Sequence, residues 1–239
     1  RNETERLNYQ LLGFLLKQRI RLAPFDEARL PFTNDSGFHN ELSYVARQTN
    51  FETVDDYEAY AARLTALPLY FGQHKTNMRR GIETQYTASS EILGGITETV
   101  KGLSESSAQQ HPFFAPFKSY PDNFSAGDKK RLKALGKAAL ENAVLPAYRD
   151  LYTFLKDEYN PQARASVGIG NTPEGRAHYS ALVRHFTTLD LTPDQVHEIG
   201  LSEVKRIRSE MDEVIKEAKF EGSFATAEVS FSFNSFAAT

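Results

Sequence analysis

Residues 173–211, PEGRAHYSALVRHFTTLDLTPDQVHEIGLSEVKRIRSEM, join one helical pattern to the explicit start of another. Thr192 is a favourable N-cap, Pro193 takes the first helical position, and Gln195 stands three residues after the cap. Together they form a capping box, which satisfies backbone donors that a helix start otherwise leaves orphaned. A long helix is therefore expected from Thr192. Its apolar positions Val196, Val204, Ile207, Met211, Val214 and Ala218 fall on one stripe, which predicts packing against another element, while charges cover the other faces.

Outward from this segment the chain alternates helical patterns with polar breaks. Leu7, Leu11, Phe14 and Leu15 make a first apolar stripe, and residues 22–39, with Pro24 and Pro31, read as an extended loop. A short helix is expected from Thr53 to Leu67, a second after Pro68 from Leu69 to Tyr86, and a glycine-interrupted third from Ser89 to Leu103. Residues 111–123 carry three prolines and four aromatics, the composition of a packed loop. Ser125, with Asp128 three residues on, opens the longest pattern, running from Gly127 to about Tyr159. Pro146 lies inside it and must kink it, because proline lacks a backbone donor and crowds the preceding turn. No β-hairpin signal precedes residue 222, so the expected class is all-α, a multi-helix array with long kinked helices. Residues 223–239 break the pattern: Val229, Phe231 and Phe233 alternate with serine as in a strand, so this Phe/Ser/Ala-rich tail reads as either an edge strand or a truncated or misassigned end.

With 239 residues, 40% hydrophobic and 25% charged, the chain can bury a real core, as one large domain or as part of a larger one. A net charge of −3 gives no attraction for nucleic acid or an anionic membrane surface. The absence of cysteine excludes disulfides and thiol chemistry without choosing a compartment. No apolar run is long enough to span a bilayer, and charged Arg1, Glu3, Glu5 and Arg6 at the start do not resemble a signal peptide, which is either lacking or precedes these residues.

The candidate chemistry is sparse. A zinc helix of the His-Glu-x-x-His type puts two imidazoles one turn apart with a glutamate as general base. The one His-Glu pair, His197-Glu198, has Leu201 where the second histidine belongs. His178 and His185 share a face, but seven residues of helix separate them by about 10.5 Å, too far for one ion. The six histidines accordingly read as surface or hydrogen-bonded structural groups. The glycine run Gly168 to Gly175 lacks the spacing and Lys-Ser/Thr ending of a phosphate loop and reads as a turn into a helix at Pro173, with Gly175 permitting close packing. No Gly-x-Ser-x-Gly elbow exists. Lys129, Lys130, Arg131, Lys133 and Lys137 cluster near a helix start, where the dipole opposes them, and read as a solvated face. The sequons at Asn2, Asn34 and Asn123 carry weight only on a eukaryotic secretory route.

A series of short pieces in fixed order is more specific: Tyr57-x-x-Tyr60-x-x-Arg63-Leu64, Met78-Arg79-x-Gly81, Val144-Leu-Pro-Ala-Tyr148, Tyr152-Thr-Phe-Leu155, Glu158-Tyr159, Pro173-x-Gly175-x-x-x-Tyr179, Thr187-Thr188, Leu191-Thr192-Pro193, Gly200, Glu203-Val204-x-Arg206-Ile207 and Glu210-Met211. These pieces, within residues 40–222, resemble the bacterial domain-of-unknown-function family numbered 885. The resemblance implies a longer, largely helical protein similar to zinc metallopeptidases, in a family many of whose members are exported or lipid-anchored. It implies that residues 1–222 are an N-terminal to middle portion, with the metal-binding His-Glu-x-x-His helix downstream. The tail from Ser223 departs from the helical continuation that the resemblance implies.

Two readings of function follow. In the first, the chain is one wall of the substrate cleft of a bacterial zinc-dependent peptidase acting on peptides. Zinc then belongs to the complete protein, and the segment alone is inactive, binds none and contributes no catalytic or metal-binding residue. Gly175, Arg176, His178 and Tyr179, at a loop-to-helix junction, are the expected substrate-lining positions. In the second, the protein is a non-catalytic helical binding or scaffold protein whose aromatic loop, residues 111–124, engages a partner. A periplasmic or exported location follows from the resemblance, while composition leaves a cytoplasmic one open.

Overall fold

The computed structural model describes residues 2–33 and 36–218, and the tail singled out above lies outside them. Nine α-helices account for most of these residues: α1 (Glu3–Leu22), α2 (Glu41–Gln48), α3 (Val54–Thr65), α4 (Leu67–Glu83), α5 (Ser90–Glu105), α6 (Ala126–Ala139), α7 (Leu145–Phe154), α8 (Gly175–Thr187) and α9 (Pro193–Glu217). Among the described residues there is no β-strand, only two isolated bridges, Phe32 with Gly37 and Ser89 with Arg164. The all-α expectation holds. The chain divides into two compact units between His178 and Tyr179, a point inside α8.

Local sequence explains most helix starts. Asn2, Thr53, Ser89, Ser125 and Thr192 each accept a hydrogen bond from a backbone N–H of the first turn that follows. At Thr53 and Thr192 the reciprocal bond closes the box: Asp56 accepts from the Thr53 N–H at 2.8 Å and Gln195 from the Thr192 N–H at 2.8 Å. Pro68 sits in the first turn of α4, where its missing donor costs nothing, so α3 and α4 meet at the single residue Ala66.

The core lies in the first unit. α5 packs along α7, α3 along α6, and α4 along α7. Tyr60, Leu64, Phe71, Met78, Val100, Leu132, Tyr148, Leu151 and Tyr159 are all 0–1% exposed there. Each such side chain contributes roughly 1.5–3 kcal/mol by leaving water. The buried phenols keep partners: Tyr60 donates to the Phe113 carbonyl at 3.1 Å and Tyr57 to that of Ser119 at 3.0 Å. On the surface, Arg79 holds Glu158 in a two-point pair at 2.6 and 2.7 Å and lies over the Phe154 ring. Exposed pairs of this kind contribute up to about 1 kcal/mol.

The long pattern from Gly127 to Tyr159 proves to be one helical rod with two expanded turns. Leu140–Val144 and Leu155–Tyr159 are π-turns, in which Leu145 N–H donates to the Leu140 carbonyl and Asn160 N–H to that of Leu155. The first lies immediately before Pro146 and is the local form taken by the expected distortion. Residues 111–123 contain a 3-10 stretch, Pro112–Lys118, which carries Phe113, Phe114 and Phe117 into the core. Gly136 of α6 faces Phe117 so closely that a Cβ would stand 2.4 Å from its ring. Residues 22–39, expected to be extended, instead hold two 3-10 turns, Ala23–Phe25 and Glu27–Arg29, hinged at left-handed Asp26.

In the second unit, α9 follows its predicted start but not its predicted burial. No residue of α9 is buried: Val204 is 64% exposed, Ile207 45%, Met211 39% and Val214 56%. The stripe is present, and from Val204 to Val214 it is 39–64% exposed.

Candidate functional site

The loop-to-helix junction singled out by sequence forms a tight turn before α8. Thr172 Oγ1 donates to the Ile169 carbonyl at 2.7 Å and Gly175 N–H to the Thr172 carbonyl at 2.9 Å. A Cβ on Gly175 would lie 1.9 Å from the Ile169 oxygen, so only glycine allows this approach. Glu174 adopts φ 57, a left-handed conformation, and turns the chain into the helix. The loop is tied back by Arg164, whose guanidinium donates to the carbonyls of Thr87 at 2.9 Å and Gly168 at 3.1 Å, and also to that of Ser166.

His178 is 2% exposed and joins three elements. Its Nε2 lies 3.0 Å from Glu27 Oε1, its Nδ1 lies 2.6 Å from the Tyr86 hydroxyl, and Phe25 stacks on the ring at 4.6 Å. A carboxylate only accepts, so Nε2–H donates to Glu27, and the Tyr86 hydroxyl donates to Nδ1 when that nitrogen carries no proton. Tyr86 is aimed inward by a Schellman ending on α4: its N–H donates to the Gly81 carbonyl at 2.7 Å, and Gln85 N–H to that of Ile82 at 3.1 Å. Gln85 occupies the left-handed position at φ 56. Burial, more than any neighbour, holds the Tyr86 phenol protonated above its ordinary range, and the Arg29 guanidinium 4.2 Å over its ring opposes this. The order carboxylate, imidazole, hydroxyl is that of a nucleophilic triad. Here Tyr86 is 1% exposed, so the arrangement serves as a polar latch across the fold.

Of the four residues expected to line a cleft, Gly175 and His178 are buried, Arg176 is exposed and Tyr179 is 46% exposed. Glu27 and Tyr86 carry no local signal of this role, because they stand 151 and 92 residues from His178 along the chain. Two apolar pockets beside α2 were likewise unforeseen. One, of about 270 Å³, is lined by Glu41, Val45, Arg63, Ala66, Leu67 and Tyr70; the other, of about 370 Å³, includes Arg47, Phe51, Pro112 and Pro116. Tyr70 donates to Glu41 at 2.5 Å at the edge of the first, and burial together with that carboxylate raises its phenol.

These residues do not fit a zinc ion. Both nitrogens of His178 are engaged, and Leu201 stands where a second ligand would follow His197. Among the described residues no three His, Cys, Asp or Glu side chains converge to hold a metal. Nor, among them, is any helix long and apolar enough to cross a membrane.

None of the curated proteins matches the chain. A crystal structure described as that of the "putative lipoprotein from Colwellia psychrerythraea" is similar in fold, with a TM-score of 0.76 and 24% identity over 83% of this chain. The match covers 34% of that protein, so the chain spans about a third of its length. The family match, described as "Bacterial protein of unknown function (DUF885)", extends over residues 1–235, taking in α1 and most of the tail as well as the motifs of residues 40–222. The chain belongs to this family.

Proposed function

We propose that the chain is part of a longer, exported zinc-dependent peptidase. In this reading it forms one wall of the substrate cleft, and the His-Glu-x-x-His helix lies in polypeptide outside residues 1–239. The observation that carries the reading is length: the chain accounts for 34% of the solved protein whose fold it shares. The resemblance carried by the pieces between Tyr57 and Met211 supplies the peptidase chemistry, in which a metal-bound water attacks a peptide carbonyl. Export rests on the lipoprotein description of the Colwellia structure. At the junction before α8, the burial of Gly175 and His178 leaves Arg176 and Tyr179 as the residues offered to a peptide, with His178 and Gly175 fixing the backbone beneath Arg176. The scaffold alternative relied on the aromatic loop, but Phe113, Phe114 and Phe117 are taken up by this chain's own core.

The test is the complete polypeptide. Metal analysis is expected to find about one zinc per chain, with peptide hydrolysis abolished by a chelator and restored by zinc. Residues 1–239 alone are expected to show neither. A complete reading frame without His-Glu-x-x-His, or hydrolysis by the segment alone, would overturn the proposal.

A further inference from the structure

Within α9, Val204, Ile207, Met211, Val214 and Ala218 follow steps of three, four, three and four residues, the spacing of a coiled-coil seam. The first four are 39–64% exposed, and no residue of the helix is buried. A 25-residue helix with a complete capping box is built to persist, yet an amphipathic helix in water owes most of its stability to whatever covers its apolar face. The edges of the seam are unlike. Glu203, Glu210 and Glu217 flank one side, whereas Arg208 and Ile215 flank the other. Arg206 braces the acidic edge, donating to Glu203 at 2.7 and 2.9 Å and to Glu210 at 2.6 Å, while both carboxylates stay half exposed.

We propose that this seam is the docking surface for a helix contributed by polypeptide outside residues 1–239, one with an apolar seam of its own and a basic edge facing Glu203, Glu210 and Glu217. The proposal rests on the reading of the chain as part of a longer protein. Three observations select this occupant. The solved relative carries about two thirds of its length beyond the matched region. An antiparallel second copy would set the glutamate edge against itself, which is unfavourable. A parallel copy would pair Glu203 with Arg208 but leave Glu210 facing Ile215.

Residues 1–239 contain no cysteine, so single cysteines placed here report accessibility once labelling of the unsubstituted complete protein has been subtracted. Ile207→Cys and Met211→Cys lie on the seam, and Ser209→Cys points away from it; Ala218→Cys replaces either seam variant that fails to fold. In the complete protein, maleimide labelling at 207 and 211 is expected to be at least about 50-fold slower than at 209, whereas in residues 1–239 alone the three rates agree within about threefold. Glu203→Lys combined with Glu210→Lys is expected to restore fast labelling at the seam of the complete protein. Equal labelling of seam and outer positions in the complete protein would overturn the proposal. So would protection already present in the segment, whether it grows with protein concentration, as for a second copy, or vanishes when residues 219–239 are removed, as for the chain's own tail. The readout is independent of zinc: a protected seam in a metal-free, inactive protein upholds the docking surface and sinks the peptidase reading, and an open seam in an active enzyme does the reverse.

Discussion

His39 and His111 are 2% and 0% exposed, and burial lowers both imidazoles to about 4 from an ordinary 6.5. His111 Nδ1 also accepts the Phe113 N–H at 3.2 Å, a bond that protonation there would break. Because the folded pKa is depressed, the unfolded chain binds more protons between these values. The stability each neutral ring supports is therefore complete above pH 6.5 and is lost as pH falls toward 4, by up to roughly 3 kcal/mol per ring. Urea unfolding followed from pH 7 to pH 4 should show this loss. His111→Asn, which keeps a cap acceptor but cannot ionise, should remove about half of it, and an unchanged pH dependence would refute the assignment. Sequence reading treated the six histidines as surface or hydrogen-bonded structural groups, which is how His178 behaves in its latch. It could not show which rings lie in the core, because burial is set by residues distant in the chain.

At the scale of the element, the end of α4 carries a measurable penalty. Gln85 holds φ 56 with an exposed side chain in a position that favours glycine. The left-handed conformation costs about 1–2 kcal/mol for such a residue, and glycine loses about 0.5–1 kcal/mol more backbone entropy on folding. Gln85→Gly should thus stabilise the protein by about 0.5–1 kcal/mol in urea unfolding, while Gln85→Val should destabilise it. Elements were legible where a local signal exists: the capping box at Thr192, Ser125 with Asp128 at the start of α6, and the Pro68 break between α3 and α4. Helix α2, eight residues long, was not anticipated, although its two turns are amphipathic. The expanded turns were not legible, since a π-turn is settled by how the rod packs and leaves no composition of its own.

Across the whole molecule, burial is uneven. α3, α4, α5 and α7 contribute to one core, while α9 buries nothing and Leu7, Leu12 and Ile20 of α1 are 57–70% exposed. In residues 1–239, amides of α9 should exchange with deuterium at least about 100-fold faster than those of α7, because only the local helix protects them. Comparable protection would mean that α9 is covered within the segment. The stripe on α9 was legible from spacing, but its partner was not, since periodicity reveals that a face is apolar without naming what meets it. The candidate junction was legible in the same partial way: Gly175 and His178 stood out, and their packing partners came only with the fold. The wide turn at Leu140–Val144 also gives the rod slack in length. It holds one residue more than an ordinary α turn, so removing one there lets the turn close and leaves Tyr148 and Leu151 in phase with the core. Removing one from the regular turns of α7 would instead advance the residues beyond it by about 100° around the helix axis and bring charged neighbours such as Arg149 and Asp150 inward. Pro146 thus stands beside a stretch of the rod that can lose a residue without turning the core-facing side chains of α7 away from the core.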